Sequence, residues 1–131
     1  VDLVVDATGA FLDPTVPATL SKRVITELLR GELGYQGCII SDDLEMKAIA
    51  DHYGSGEAGV RAIGAGCDLL LVCSEVERAL EVHEALVKKA EADSTFRARL
   101  VDAAARVDKL AATVPPLEST APEDLLSRLQ G

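Results

Sequence analysis

The sequence predicts an α/β fold built on a small parallel sheet, and three observations carry that expectation. Three short apolar runs, Leu3–Val5, Cys38–Ile40 and Leu69–Cys73, are nearly continuous rather than alternating, as strands covered on both faces are. Segments with helical spacing separate and follow these runs. The order therefore reads β-α-β-α-β-α, the pattern of parallel strands joined by right-handed crossovers. Third, hydrophobic residues make up 48% of the chain but aromatic ones only 3%, so the core under those helices must be aliphatic.

Each element has its own justification. After the strand Leu3–Val5, Thr19 or Ser21 stands where a helix cap is needed. Val24, Ile25, Leu28 and Leu29 then share one face of a helix running to about Leu33, which Gly34 ends. The strand Cys38–Ile40 is followed by a polar and apolar mixture, Met46 to Tyr53, read as a loop or a short helix. A second helix spans roughly Glu57 to Ala65 and stops at Gly66. Beyond the strand Leu69–Cys73, Glu75 to about Ala92 is amphipathic, with Val76, Leu80 (or Ala79), His83, Leu86 and Val87 along one side. Leu100, Val107 and Leu110 mark a further helix rich in Ala. Residues 1–114 thus form one α/β unit. Residues 115–131 read as a Pro-containing linker and a short helix, Glu123 to Leu129.

Length and charge exclude several functions. The 131 residues suit a single domain and fall short of a complete (β/α)8 barrel, which needs at least about 200. A net charge of −9 argues against a general nucleic-acid binder, because phosphate contacts need a basic face. No apolar run reaches the roughly 18 residues of a membrane span, so no membrane partner is expected. Neither a basic leader nor the apolar stretch of a signal peptide is visible, and a chain opening on an apolar run at Val1 reads as part of a longer one. Cys38, Cys67 and Cys73 are odd in number, form no CxxC pair and lie in or beside apolar runs. They are expected to be reduced core thiols rather than disulfide or zinc ligands, which fits a cytoplasmic setting. Gly54 to Gly59 spells G-x-G-x-x-G, but it does not follow a strand. It reads as the opening of a helix, and no cofactor is expected there.

In parallel α/β sheets the chemistry sits at the carboxyl ends of the strands. That rule points to Asp6, to Ser41-Asp42-Asp43 and to Ser74-Glu75. From position alone, Asp42 reads more readily as a helix cap or an ion-pair partner than as a reactive carboxylate.

The stretch 28–44, LLRGELGYQGCIISDDL, resembles the active-site signature of glycoside hydrolase family 3: two aliphatics, a base, an acid, a Gly, an apolar strand, then Ser-Asp. Its continuation through Asp43, Leu44, Glu45, Met46 and Lys47 is similar to the bacterial β-N-acetylhexosaminidase branch of that family, as is the stretch Ala65 to Cys73. The resemblance runs from about Asp13 to Leu110. It implies that the chain is a partial (β/α)8 TIM barrel, its last three β/α units, and that Asp42 is the nucleophile of a retaining glycosidase. It further implies an N-acetylglucosamine-containing saccharide or muropeptide as substrate, cell-wall recycling as the setting, and no metal or redox cofactor. Asp43, placed to bond the backbone of the next turn, and Met46, which serves equally as a core filler, are the candidate substrate-binding residues.

Three departures qualify that implication. Glu45 stands where the family pattern prefers a small residue. The segment Asp6-Ala7-Thr8-Gly9 replaces the Ser/Thr-Ala-His common after the preceding strand. The family's general acid is a His near a Lys-His-Phe-Pro-Gly-His-Gly stretch, and no such stretch occurs in these 131 residues. His52 and His83 read instead as surface or packing residues. A second reading therefore stands beside the enzymatic one: a catalytically incomplete chain that self-associates through open strand edges.

Overall fold

A computed structural model describes Asp13 and residues 16–115. The strand predicted at Leu3–Val5, the loop Asp6–Gly9 and the helix Glu123 to Leu129 with most of its linker lie outside the described residues. The first elements among the described residues are a 3-10 turn, Ala18–Leu20, and a π-helix, Arg23–Glu32. Next come β1 (Ile40–Asp43), the short α1 (Lys47–Ala50) and α2 (Ser55–Ala65). The last elements are β2 (Leu69–Leu71), α3 (Val76–Ala92) and α4 (Ser94–Ala111). The strands pair in parallel, joined by the crossover through α2.

The first helix departs from the expected α-helix. Its bonds close over five residues, as in Leu33 N–H to the Leu28 carbonyl at 2.9 Å, and Val24, Ile25 and Leu29 share its buried face. Of the two cap candidates Ser21 serves: its Oγ accepts the Val24 N–H at 3.3 Å, while Thr19 is buried in the preceding turn. The helix ends at Gly34, at φ +67°.

Helix α2 lies at the centre of the core. Ala58 and Ala62 are fully buried, and the small face they form lets the sheet and α3 close on it. A Cβ added at Gly59 would lie 2.5 Å from Val82 Cγ1 on α3, so the glycine is what permits the close crossing. That is the use of the G-x-G-x-x-G run: Gly54 precedes the helix and the later glycines pack it. Gly66 ends α2 at φ +124°, and a side chain there would meet Ile25 Cγ2 at 2.7 Å.

Asp68 knots the amino-terminal end of the sheet. Its side chain is fully buried and accepts from Ile39 N–H at 2.9 Å, Arg30 Nη2 at 2.5 Å and Arg99 Nη2 at 2.7 Å. This knot explains a difference from the predicted strand. Ile39 gives its N–H to the Asp68 carboxylate, and its carbonyl accepts the Asp68 and Leu69 N–H groups. The paired strand therefore starts at Ile40 rather than Cys38, and extends through Asp43, with Leu44 N–H still bonded to the Leu71 carbonyl at 3.0 Å. β2 likewise stops at Leu71, short of the predicted Cys73.

The expectation of strands covered on both faces holds for one face only. Ile39 and Ser41 are buried, whereas Ile40 is 46%, Leu69 37% and Leu71 40% exposed. The helices cover one side of the sheet, and the other side stays open among the described residues. The cysteines also divide. Cys67 is buried, with its thiol donating to the Thr19 carbonyl and pushed up to about 12 by burial. Cys38 is half-buried and Cys73 is exposed, so the last is not the core thiol expected.

Candidate active site

The carboxyl end of β1 carries Ser41, Asp42 and Asp43 in an irregular ladder. Ile40 faces Leu69 and Asp43 faces Leu71, so Ser41 and Asp42 together oppose the single residue Leu70. This is a β-bulge, and bulges re-aim side chains at the ends of strands. Ser41, buried, fills the gap in the ladder: its Oγ accepts the Leu71 N–H at 3.0 Å. Burial along the strand alternates, so Asp42 is exposed while Ser41 is not. Asp42 is thus within β1 rather than beyond it, held by a backbone that a buried hydroxyl secures.

Local hydrogen bonds orient the acids. Asp42 Oδ1 accepts the Asp43 N–H at 2.8 Å, which limits the rotation of its carboxylate. Asp43 Oδ1 accepts the Glu45 N–H at 3.1 Å, the turn bond that the sequence leads one to expect. The Met46 N–H reaches the Asp43 carbonyl at 3.2 Å, and the Met46 carbonyl then receives Ile49 and Ala50 N–H groups to open α1. Met46 itself is 36% exposed beside this turn. Asp42, Asp43 and Met46 therefore lie at one end of the sheet.

Glu45 has a role here that the sequence did not reveal. Its Oε2 accepts the Ser74 N–H and its Oε1 the Ser74 hydroxyl, both at 2.6 Å. Arg78 Nε lies 3.2 Å from Oε1. The Ser74 bonds, with Arg78 behind them, hold the Glu45 carboxyl below the usual carboxylate range. Cys73 stands in the same loop. Desolvation and then the Asp43 carboxylate raise its thiol above the ordinary value. The acidic side chains at this strand end thus face a thiol that stays protonated.

The two histidines lie elsewhere. His52 packs edge-on against Tyr53, with ring centroids 6.4 Å apart, and Arg61 stands over the Tyr53 ring at 4.8 Å. His83 lines an apolar groove of about 390 Å³ with Leu69, Leu86 and Leu100. Among the described residues no group of three His, Cys, Asp or Glu side chains is arranged to hold a metal ion. No helix among them is long and apolar enough to cross a membrane.

The family profile described as Glycosyl hydrolase family 3 N terminal domain matches residues 1–110. The chain belongs to this family. Over 87 residues it is 40% identical to a Beta-hexosaminidase of Nitrosomonas eutropha, an overlap of 66% of this chain and 24% of that relative. Its fold is similar to a glycoside hydrolase family 3 beta-N-acetylglucosaminidase from Paenibacillus sp. str. FPU-7, with TM-score 0.74 and 38% identity over 86% of this chain and 22% of that one. It is also similar to a Beta-N-acetylhexosaminidase from Beutenbergia cavernae, with TM-score 0.72 and 38% identity over 79% of this chain and 30% of that one. The chain spans less than a third of the length of each. The resemblance read from residues 28–44 and 65–73 is borne out, and the α/β architecture with a small parallel sheet is the family's.

Proposed function

We propose that the protein containing this chain hydrolyses β-N-acetylglucosaminides by a retaining double displacement in which Asp42 is the nucleophile. One observation carries the reading: in a chain of this family, an exposed carboxylate stands at the carboxyl end of a parallel strand, aimed by a bulge and secured by a buried hydroxyl. In this reading the chain is the last three β/α units of a (β/α)8 barrel, formed by residues 1–114, with 115–131 as an appended linker and helix. Asp42 attacks the anomeric carbon as the glycosidic C–O bond breaks, giving a covalent glycosyl ester. A proton donor protonates the departing oxygen. The same group then takes a proton from water as the water attacks the anomeric carbon, whose bond to the Asp42 carboxylate breaks, and the sugar is released with net retention. No residue of this chain is assigned the proton-donor role. Asp43 shapes the turn below the nucleophile, and Met46 lines the sugar side of it. Sugars derived from muropeptides are the substrates in this reading, and cell-wall recycling is its setting.

The open sheet face favours a second reading. Exposed Ile40, Leu69 and Leu71 would serve a catalytically incomplete chain that associates through its strands. One experiment separates the two. The protein containing this chain, and the 131-residue chain alone, are assayed on an aryl N-acetyl-β-glucosaminide. The first is expected to turn over and to lose about three orders of magnitude in kcat when Asp42 becomes Asn. The isolated chain is expected to show no hydrolysis. Wild-type turnover by Asp42→Asn would remove the nucleophile assignment.

A further inference from the structure

We infer that Glu45 is a positioning residue for the nucleophile: it fastens the turn below Asp42 to the loop after β2. The inference rests on the reading of Asp42 given above. It starts from a chain of contacts without a gap. The Ser74 N–H and hydroxyl both donate to the Glu45 carboxylate. The Glu45 N–H donates to Asp43 Oδ1, and the Asp43 N–H donates to Asp42 Oδ1. Every link is 3.1 Å or shorter. Two strand ends that are paired in the ladder only as far as Leu44 and Leu71 are therefore joined again beyond it, by one side chain.

The environment suits a fixed strut rather than a solvated surface acid. The Glu45 side chain is 13% exposed although it comes from a turn. Arg78 keeps it charged and is itself held, with Nε 3.1 Å from Glu75 Oε2 and Nη1 3.3 Å from Ser55 Oγ. The strut thus reaches the first turns of α2 and α3, the elements that carry the sheet. A small residue at position 45, as the family pattern prefers, would leave the Ser74 amide without this acceptor. The strand end carrying Asp42 would then keep its bonds to Leu71 through Ser41 and Leu44 but lose the tie to Ser74 in the loop beyond β2. A nucleophile needs a fixed line of approach, and a displacement of about 1 Å can cost about 100-fold in rate.

The test uses the protein containing this chain and three variants, Glu45→Ala, Glu45→Gln and Asp42→Asn. Each is measured for kcat and KM on an aryl N-acetyl-β-glucosaminide, for thermal midpoint, and for amide exchange at residues 42–46 and 74. Gln keeps the length, accepts the Ser74 N–H and can donate to the Ser74 hydroxyl. The expected result for Glu45→Ala is a kcat lower by about 10- to 100-fold with KM within about twofold, and faster exchange at Ser74 and in the 42–46 turn. Glu45→Gln should regain most of the loss. Unchanged kcat in Glu45→Ala overturns the inference. So does a kcat loss in both Glu45 variants that merely follows a fall in thermal midpoint, without local acceleration of exchange. If Asp42→Asn keeps full turnover, the nucleophile reading fails by itself. The Glu45 strut is then judged on exchange alone, and unaltered exchange at Ser74 and 42–46 overturns it.

Discussion

Ser41 shows how one hydroxyl decides where a carboxylate points. A regular ladder would leave no place for an extra residue on β1, and the bulge removes a backbone acceptor opposite Leu71. The Ser41 Oγ replaces it, buried and 3.0 Å from the Leu71 amide. Replacement by Ala would leave that part-buried N–H without its protein partner. A fully buried unsatisfied donor costs about 1–3 kcal/mol, so the cost here falls at or below about 1 kcal/mol. Ser41→Ala is expected to lower the urea midpoint accordingly and to reduce turnover further than the stability loss explains, because the bulge also sets the Asp42 direction. Ser41→Thr, which keeps the hydroxyl, should recover the stability if its extra methyl is accommodated. Equal urea midpoints for wild type and Ser41→Ala would remove the hydroxyl from this role.

Among elements, the contact of α2 with α3 is the tightest constraint. Val82 of α3 is buried against the backbone of α2, where Gly59 offers no side chain. Gly59→Ala would ordinarily favour a helix by about 1 kcal/mol through propensity alone. Here the added Cβ falls 2.5 Å from Val82 Cγ1, so overpacking at about 1–3 kcal/mol outweighs it. The substitution is expected to destabilise, and Val82→Ala made together with it should restore part of the loss. Additive effects of the two changes in denaturant unfolding would show that the contact is not the cause. The same elements show what the sequence discloses. The α3 helix and the Gly66 stop were legible because amphipathic spacing and a left-handed glycine are local signals. The packed face of α3 was not: Val76, Leu80, His83 and Val87, expected along one buried side, are exposed, and Val82 is the residue that packs on α2. The start of α4 was missed, although Asp93 caps it by accepting Thr95 and Phe96 N–H groups. Three polar residues in a row, Asp93 to Thr95, were the available signal. The Glu45 strut was not legible, since Ser74 lies 29 residues away and only the fold brings them together. Nor was the register of β1, which depends on a carboxylate from the start of the other strand.

For the molecule as a whole, the two ends of the sheet divide stability from chemistry. The carboxyl end holds an exposed Asp42 and polar loops, while the amino-terminal end is closed by Asp68 and its arginines. Asp68 joins four parts of the chain: it receives Arg30 from the π-helix, Ile39 before β1 and Arg99 from α4, and it stands itself one residue before β2. Arg30 extends the knot by donating to the Gly37 and Gly66 carbonyls, each at 3.2 Å. Asp68→Asn keeps an acceptor for Ile39 but leaves the largely buried Arg30 guanidinium without its counter-charge and Arg99 with only the exposed Asp102, 3.1 Å away. Breaking a buried pair from one side costs about 3–5 kcal/mol, against a typical total stability of about 5–15 kcal/mol. The variant is therefore expected to unfold at a much lower urea concentration. Its folded fraction should retain the wild-type KM and kcat, because Asp42 lies at the opposite end of the strands and depends on Ser41 and the turn beyond β1. A loss below about 1 kcal/mol would demote the knot to a surface-like ion pair. A normal urea midpoint with lost turnover would be the opposite failure, placing Asp68 in the chemistry instead of in the frame that supports it.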